Sequence, residues 1–143
     1  MPDVVVDTNI LVRAIIKSSG SDGKIYKEFL NFHLSLYYSQ QMFIELNRVL
    51  NYPRIKNKYN LNEVKITKFL DTISIFGKLV IPIDRVTFSR DKDDNKFLSV
   101  AVSISKSSQA YLITGDRDLL VLKGKIEKVN ILTPQEFLKL KKV

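Results

Sequence analysis

Four acidic residues from separate segments of the chain lie at or near the predicted ends of strands: Asp7, Glu45, Asp94 and Asp116. In a parallel sheet the carboxyl ends of the strands meet at one edge, where ligands bind, so we expect these carboxylates to converge. Ionised carboxylates a few ångströms apart repel one another unless a cation neutralises them. A hard divalent ion, Mg²⁺ or Mn²⁺, does so with oxygen ligands alone. On a basic protein such an ion favours phosphodiester hydrolysis by metal-activated water.

Each carboxylate also has a structural interpretation, and taken singly that interpretation is the stronger one. Asp7 and Asp94 could cap the helices that follow them, because an aspartate there accepts hydrogen bonds from free N–H groups. Asp116 could be a turn residue between Gly115 and Arg117. Glu45 lies at the edge of an apolar helix stripe, where many helices carry a partly exposed acid. The hypothesis of a metal site therefore depends on all four acids together.

The composition narrows the possible chemistry. The 143 residues include no cysteine and one histidine, which excludes disulfides and thiolate sites and disfavours histidine-based zinc sites and triads. The formal net charge of +8 favours a polyanionic partner such as nucleic acid. No apolar run is long enough to span a membrane, and the start of the chain lacks the features of a signal peptide. We expect a soluble, cytoplasmic protein with no membrane partner.

The elements that would position the acids alternate between strands and helices. The strands are predicted at 4–6, 34–38, 79–83, 110–114 and 126–132. Apolar residues between them recur at helical spacing, with Ser39, Asn62 and Thr133 as predicted helix caps. The basic segment 54–60 is predicted to be a loop, because Pro53 should stop the preceding helix. The pattern favours one domain over residues 1–143, a three-layer α/β/α sandwich with a central, mainly parallel sheet.

The acids lie in segments that resemble the motifs of PIN-domain nucleases. The resemblance is carried by Val-Val-Val-Asp-Thr-Asn-Ile-Leu at 4–11, Glu45, Asp-Asn-Lys-Phe-Leu at 94–98 and Thr-Gly-Asp-Arg-Asp-Leu at 114–119. The closing Ile-Leu-Thr-Pro-Gln-Glu-Phe-Leu at 131–138 is similar to the end of a prokaryotic subgroup described as VapC-like or as toxin components. One departure is Lys92, where relatives often have Pro, and it concerns the stiffness of a loop.

The resemblance implies a metal-dependent endoribonuclease with a PIN-like fold. Its catalytic residues would also be the ligands of one or two Mg²⁺ or Mn²⁺ ions: Asp7, Glu45, Asp94 and Asp116. Thr8, Asn9 and Thr114 would orient carboxylates or water. Asp118 matches a further acid of the last motif and is assigned a supporting role. The setting implied is the toxin half of a toxin–antitoxin pair, with RNA as substrate, a cognate antitoxin protein as inhibitor and a homodimer as the assembly.

Basic residues in two parts of the sequence are candidates for RNA contacts. Arg54, Lys56 and Lys58 belong to the basic segment, which could follow an RNA backbone or could equally be a solvated loop. Arg13 and Arg117 are close in sequence to the proposed metal ligands and could meet phosphate.

Other families that begin with a strand ending in Asp fit less well. A haloacid-dehalogenase-type phosphatase needs a second Asp at the place of Asn9, and a response-regulator receiver needs an acid beside Asp7, where the chain has Thr8. Two alternatives stay open: a non-catalytic RNA-binding module with the same fold, and a structure-specific DNA nuclease. The sequence does not separate RNA from DNA, because recognition of a 2′-OH leaves no mark in it.

Overall fold

In the computed structural model, which describes residues 1–82 and 95–141, the central feature is a five-stranded sheet. Its strands are β1 (Asp3–Val6), β2 (Ser35–Tyr38), β3 (Lys78–Leu79), β4 (Ala110–Ile113) and β5 (Val129–Leu132). The order across the sheet is β3-β2-β1-β4-β5, and every pairing is parallel. Val6 is opposite Ile113 in the register, so the residues that follow β1 and β4 begin side by side. The predicted parallel sheet is confirmed.

Helices connect the strands and cover the sheet. Within the described ranges they are α1 (Thr8–Ile16), α2 (Ser21–Leu30), α3 (Gln40–Leu50), α4 (Pro53–Tyr59), α5 (Glu63–Phe76), α6 (Asn95–Ile104), α7 (Arg117–Leu120) and α8 (Pro134–Lys141). The predicted caps of α3 and α5 are confirmed, because the side chains of Ser39 and Asn62 accept hydrogen bonds from backbone N–H groups of the first turn. None of the helices described is long and apolar enough to cross a membrane.

Apolar side chains project from both faces of the sheet, so each face needs a layer of helices to cover it. Val4 and Val6 belong to a buried cluster with side chains of α1, α2 and α5. Val5, between them, belongs to a second cluster with side chains of α6 and α7 on the other face. This alternation places β1 at the centre of a three-layer α/β/α sandwich, as predicted.

The segment predicted to be a loop after Pro53 is instead the helix α4, so that prediction was wrong. Pro53 stands in the first turn of α4, where its missing N–H costs no hydrogen bond, and Asn60 ends the helix with a left-handed φ of 52°. None of the residues of α4 is buried. A helix without a buried face has no apolar stripe, and the periodicity that identifies other helices is absent from it.

The start of α8 forms the predicted capping box. The backbone N–H of Glu136 donates to Oγ1 of Thr133 at 3.2 Å, and the N–H of Thr133 donates to Oε1 of Glu136 at 3.0 Å. Lys123 forms an ion pair with the same carboxylate. The hydrogen bond from Lys123, with that from the backbone of Thr133, lowers the pKa of Glu136. The stability that the capping box contributes therefore depends on pH.

We expect Glu136→Gln to lower the free energy of unfolding most at neutral pH. The folded-state pKa of Glu136 lies below the ordinary pKa of a glutamate. The contribution of Glu136 to the free energy of unfolding is therefore fully present above the ordinary pKa and is lost as pH falls through the folded-state pKa. Urea unfolding from about pH 3 to about pH 7 should show that the difference in free energy of unfolding between wild type and Glu136→Gln decreases as pH falls. Glu127→Gln, which removes an exposed carboxylate, is the control. A gap that is constant with pH would contradict the prediction.

Candidate functional site

Asp7 and Asp116 are joined through Thr114 at the carboxyl edge of the sheet. Oγ1 of Thr114 donates to Oδ2 of Asp7 at 2.7 Å and accepts the backbone N–H of Asp116 at 3.0 Å. The hydroxyl of Thr114 has one hydrogen to donate, so the hydrogen bond to Asp7 fixes the direction of the Thr114 O–H bond. Thr114 is fully buried. The pairing of β1 with β4 therefore brings together two acids that are far apart in sequence.

Asp7 is a buried carboxylate in an unfavourable environment for its charge. Its residue is 5% exposed, and burial raises its pKa. The charge of Asp116 raises the pKa further, whereas hydrogen bonds from Thr114 and from the backbone N–H of Asn9, and the charge of Arg13, lower it. The N–H of Asn9 donates to Oδ1 at 2.8 Å. Because the balance is a raised pKa, additional positive charge beside Asp7 is favourable.

Both acids also cap helices. Asp7 is the N-cap of α1, and Asp116 is the N-cap of α7, where its Oδ1 accepts the backbone N–H of Asp118 at 2.8 Å. Asp116 is partly exposed, so a ligand can reach it. A carboxylate oxygen with one hydrogen bond keeps a further lone pair. The structural and the functional interpretations of these acids are therefore compatible.

Glu45 lies on α3 beside a lysine. Its Oε2 is 2.5 Å from Nζ of Lys96, whose side chain is 8% exposed and whose ammonium lies 4.8 Å from the centre of the Phe97 ring. The ion pair lines an open pocket of about 580 Å³ together with Gln40, Gln41, Ile44 and Arg48. Lys96 is a residue that sequence reasoning missed. Its signal was a basic side chain inside the motif 94–98, directly before buried apolar residues.

The structure thus places three of the four predicted acids. Asp7 and Asp116 come together, Glu45 pairs with Lys96, and Asp94 lies outside the described residues. Within residues 1–82 and 95–141, no three or more His, Cys, Asp or Glu side chains form a group that could hold a metal ion. The helix α6, whose first described residue, Asn95, follows Asp94 in sequence, packs against both β1 and α3.

The predicted supporting residues have different environments. Thr8 opens α1 and is buried, and its Oγ1 is the one buried side-chain polar atom in the described ranges without a hydrogen-bond partner. The side chain of Asn9 is exposed, so the contact of Asn9 with Asp7 is through the backbone. Thr114 makes the central hydrogen bond, and Asp118 contacts Asp116 through its N–H.

Of the basic residues predicted to contact RNA, two lie near the paired acids. Arg13 is close enough to Asp7 to lower its pKa, and its Nε donates to Oδ2 of Asp22 at 2.7 Å. Arg117 is exposed at the start of α7, next to Asp116. The other three lie on α4: Arg54, Lys56 and Lys58. Contact of these residues with RNA stays a prediction.

Two comparisons with known proteins gave matches. The family model described as PIN domain matches residues 3–118, a range that holds β1 to β4 and all four predicted acids. The uncharacterized protein MJ1680 of Methanocaldococcus jannaschii is 34% identical over 142 residues, which cover 94% of this chain and 88% of that protein. The matched range ends before 131–138, the segment on which the predicted likeness to the toxin subgroup rests.

Proposed function

This chain belongs to the PIN-domain family, which has a nuclease-type fold, and we propose that it is a metal-dependent endoribonuclease. The observation that carries the proposal is the buried carboxylate of Asp7, held by Thr114 beside Asp116 at the edge of a parallel sheet. Ligands of such sheets bind at this edge. The raised pKa of Asp7 gives a physical reason for a cation to bind there.

The available donors fit a hard divalent cation. The side chains of Asp7 and Asp116 offer carboxylate oxygens at the edge of the sheet, and the chain has no thiol. We propose that one or two Mg²⁺ or Mn²⁺ ions are held by the predicted quartet Asp7, Glu45, Asp94 and Asp116. When bound, the metal would supply an activated water and stabilise the charge that develops on phosphorus.

The protein side chains would orient the metal ligands and hold the substrate. Thr114 fixes the carboxylate of Asp7 through a hydrogen bond to Oδ2, which restricts the carboxylate to one orientation. Arg13 and Arg117 would contact phosphates, because both are exposed arginines near the paired acids. In-line hydrolysis of RNA would leave a 5′-phosphate and a 3′-hydroxyl, with the acids acting as ligands and not as nucleophiles.

Cleavage of single-stranded RNA in competition with branched DNA tests this function. We expect RNA to be cleaved with Mn²⁺ or Mg²⁺ and not with EDTA, and the branched DNA to be cut at least about tenfold more slowly, because a protein can distinguish RNA from DNA by the 2′-OH. Equal or faster cleavage of DNA would assign the chain to DNA. Tight binding of RNA without cleavage would support the non-catalytic module.

We further propose the toxin role in the cytoplasm, with inhibition by a cognate antitoxin protein and assembly as a homodimer. This part of the proposal is supported by the likeness of segment 131–138 alone. Light scattering of the purified chain would measure the mass of the assembly, and a monomer at micromolar concentration would contradict the homodimer.

A further inference from the structure

Lys96 has a largely buried side chain, although the residue also lines the open pocket. Its side chain is 8% exposed, whereas the side chain of Glu45, 2.5 Å from Nζ, is 23% exposed. A buried ammonium loses hydration, and a nearby opposite charge offsets part of that loss. Glu45 supplies that charge from a different helix. The contact joins α3 to α6 and is therefore part of the tertiary structure, not a chance surface pair.

The backbone of Lys96 is fixed, but its ammonium is at the end of a long side chain. Phe97 and Leu98, the next two residues of α6, are 3% and 0% exposed and anchor the helix in the core. The lysine stem has four methylene groups and can change rotamer without moving the helix. Lys96 and Glu45 both line an open pocket, so a change of rotamer can turn the ammonium away from Oε2 and toward solvent.

We propose that Lys96 is the resident counter-ion of Glu45 and competes with a divalent cation for that carboxylate. The inference rests on the proposed function, because it takes Glu45 as one of the metal ligands. A dication that reaches Glu45 meets the ammonium as a like charge, so the metal binds more weakly while Lys96 stays paired with Oε2. Lys96 is in this sense a positioning residue that sets the metal concentration at which the site fills.

Direct measurement of Mn²⁺ binding, by calorimetry without RNA, tests this competition. We expect Lys96→Met to lower the Kd for Mn²⁺ by about tenfold, which corresponds to about 1.4 kcal/mol. Lys123→Met is the matched control, since it removes the same charge from another lysine–glutamate pair and should leave the Kd within about twofold. Unchanged or weaker Mn²⁺ binding in Lys96→Met would overturn the inference.

A double-mutant cycle shows whether the effect acts through Glu45. In the Glu45→Gln background, Lys96→Met should no longer tighten Mn²⁺ binding, because the carboxylate for which the two cations compete is absent. The same tightening in both backgrounds would contradict competition for Glu45. If Lys96→Met does not fold, Lys96→Gln keeps a hydrogen-bond donor for Glu45 while removing the charge, and the same comparison applies.

The inference and the proposed function can fail separately. Cleavage of RNA by wild type that is lost in Asp7→Asn tests the proposed function. The ratio of Mn²⁺ affinities between Lys96→Met and wild type tests the competition between Lys96 and the metal. Mn²⁺ binding by Lys96→Met but not by wild type would support the competition even if no RNA were cleaved. Absence of Mn²⁺ binding in both wild type and Lys96→Met would overturn the proposed competition, whatever the outcome with RNA.

Discussion

Asp116→Asn should remove metal-dependent RNA cleavage, lowering the rate by about a hundredfold or more, since even residues that only orient a metal ligand contribute about 10–100-fold. The substitution removes one negative charge at the paired acids. It leaves an amide oxygen that can still accept the N–H of Asp118, so the cap of α7 should persist. The measurement is the cleavage rate of a single-stranded RNA with Mn²⁺ in excess.

The control for Asp116→Asn is Asp71→Asn, which makes the same chemical change at an exposed position of α5. It should cleave at the wild-type rate, and both variants should show the wild-type thermal transition. Cleavage retained by Asp116→Asn would contradict the role of Asp116 in the site. Loss of cleavage in both variants would show that net charge, and not the position of the carboxylate, determines the rate.

Thr114→Val should lower the free energy of unfolding by about 1–3 kcal/mol, because it removes a hydroxyl that is hydrogen-bonded to the buried carboxylate of Asp7 and to the part-buried N–H of Asp116. The variant leaves Asp7 without its side-chain donor and the N–H of Asp116 without its acceptor. Thr8→Val is the matched control: Thr8 is 3% exposed and its hydroxyl has no hydrogen-bond partner in the part of the chain that the structure describes. It should be neutral or stabilising.

The stability difference caused by Thr114→Val should also depend on pH. The hydrogen bond from Thr114 lowers the pKa of Asp7, which burial raises above its ordinary value, so its loss raises that pKa further. The extra destabilisation therefore grows as pH rises through the folded-state pKa of Asp7 in wild type, which lies above the ordinary value of an aspartate, and is smallest below that folded-state pKa. Urea unfolding of wild type and both variants at several pH values measures it. Equal losses in Thr114→Val and Thr8→Val would contradict the role of the Thr114 hydroxyl.

Local signals explain what the sequence could predict. The β-branched run before Asp7 predicted β1, and Ser39 and Asn62 marked the starts of α3 and α5 through short-range caps. The parallel sheet followed from the alternation of strands and helices. These features depend on neighbouring residues, so they can be read without a structure.

Contacts between distant segments could not be predicted in detail. The motif suggested a supporting role for Thr114, but the identity of its acceptor depends on the register of β4 against β1. The pair of Lys96 with Glu45 depends on how α6 packs on α3, for which the sequence has no local signal. The helices α4 and α7 were missed because one has no buried face and the other has only four residues.

The central position of β1 has a consequence for biosynthesis. Its partner on one side is β4, and the hydrogen bond between Asp7 and Thr114 spans 107 positions of the chain. Pairing over such a distance folds slowly and cannot begin until the later strand has left the ribosome. A nascent chain that ends before β4 lacks Thr114 and Asp116 and hence the paired acids. The paired acids can therefore form only after the ribosome has synthesised β4 and the residues that follow it.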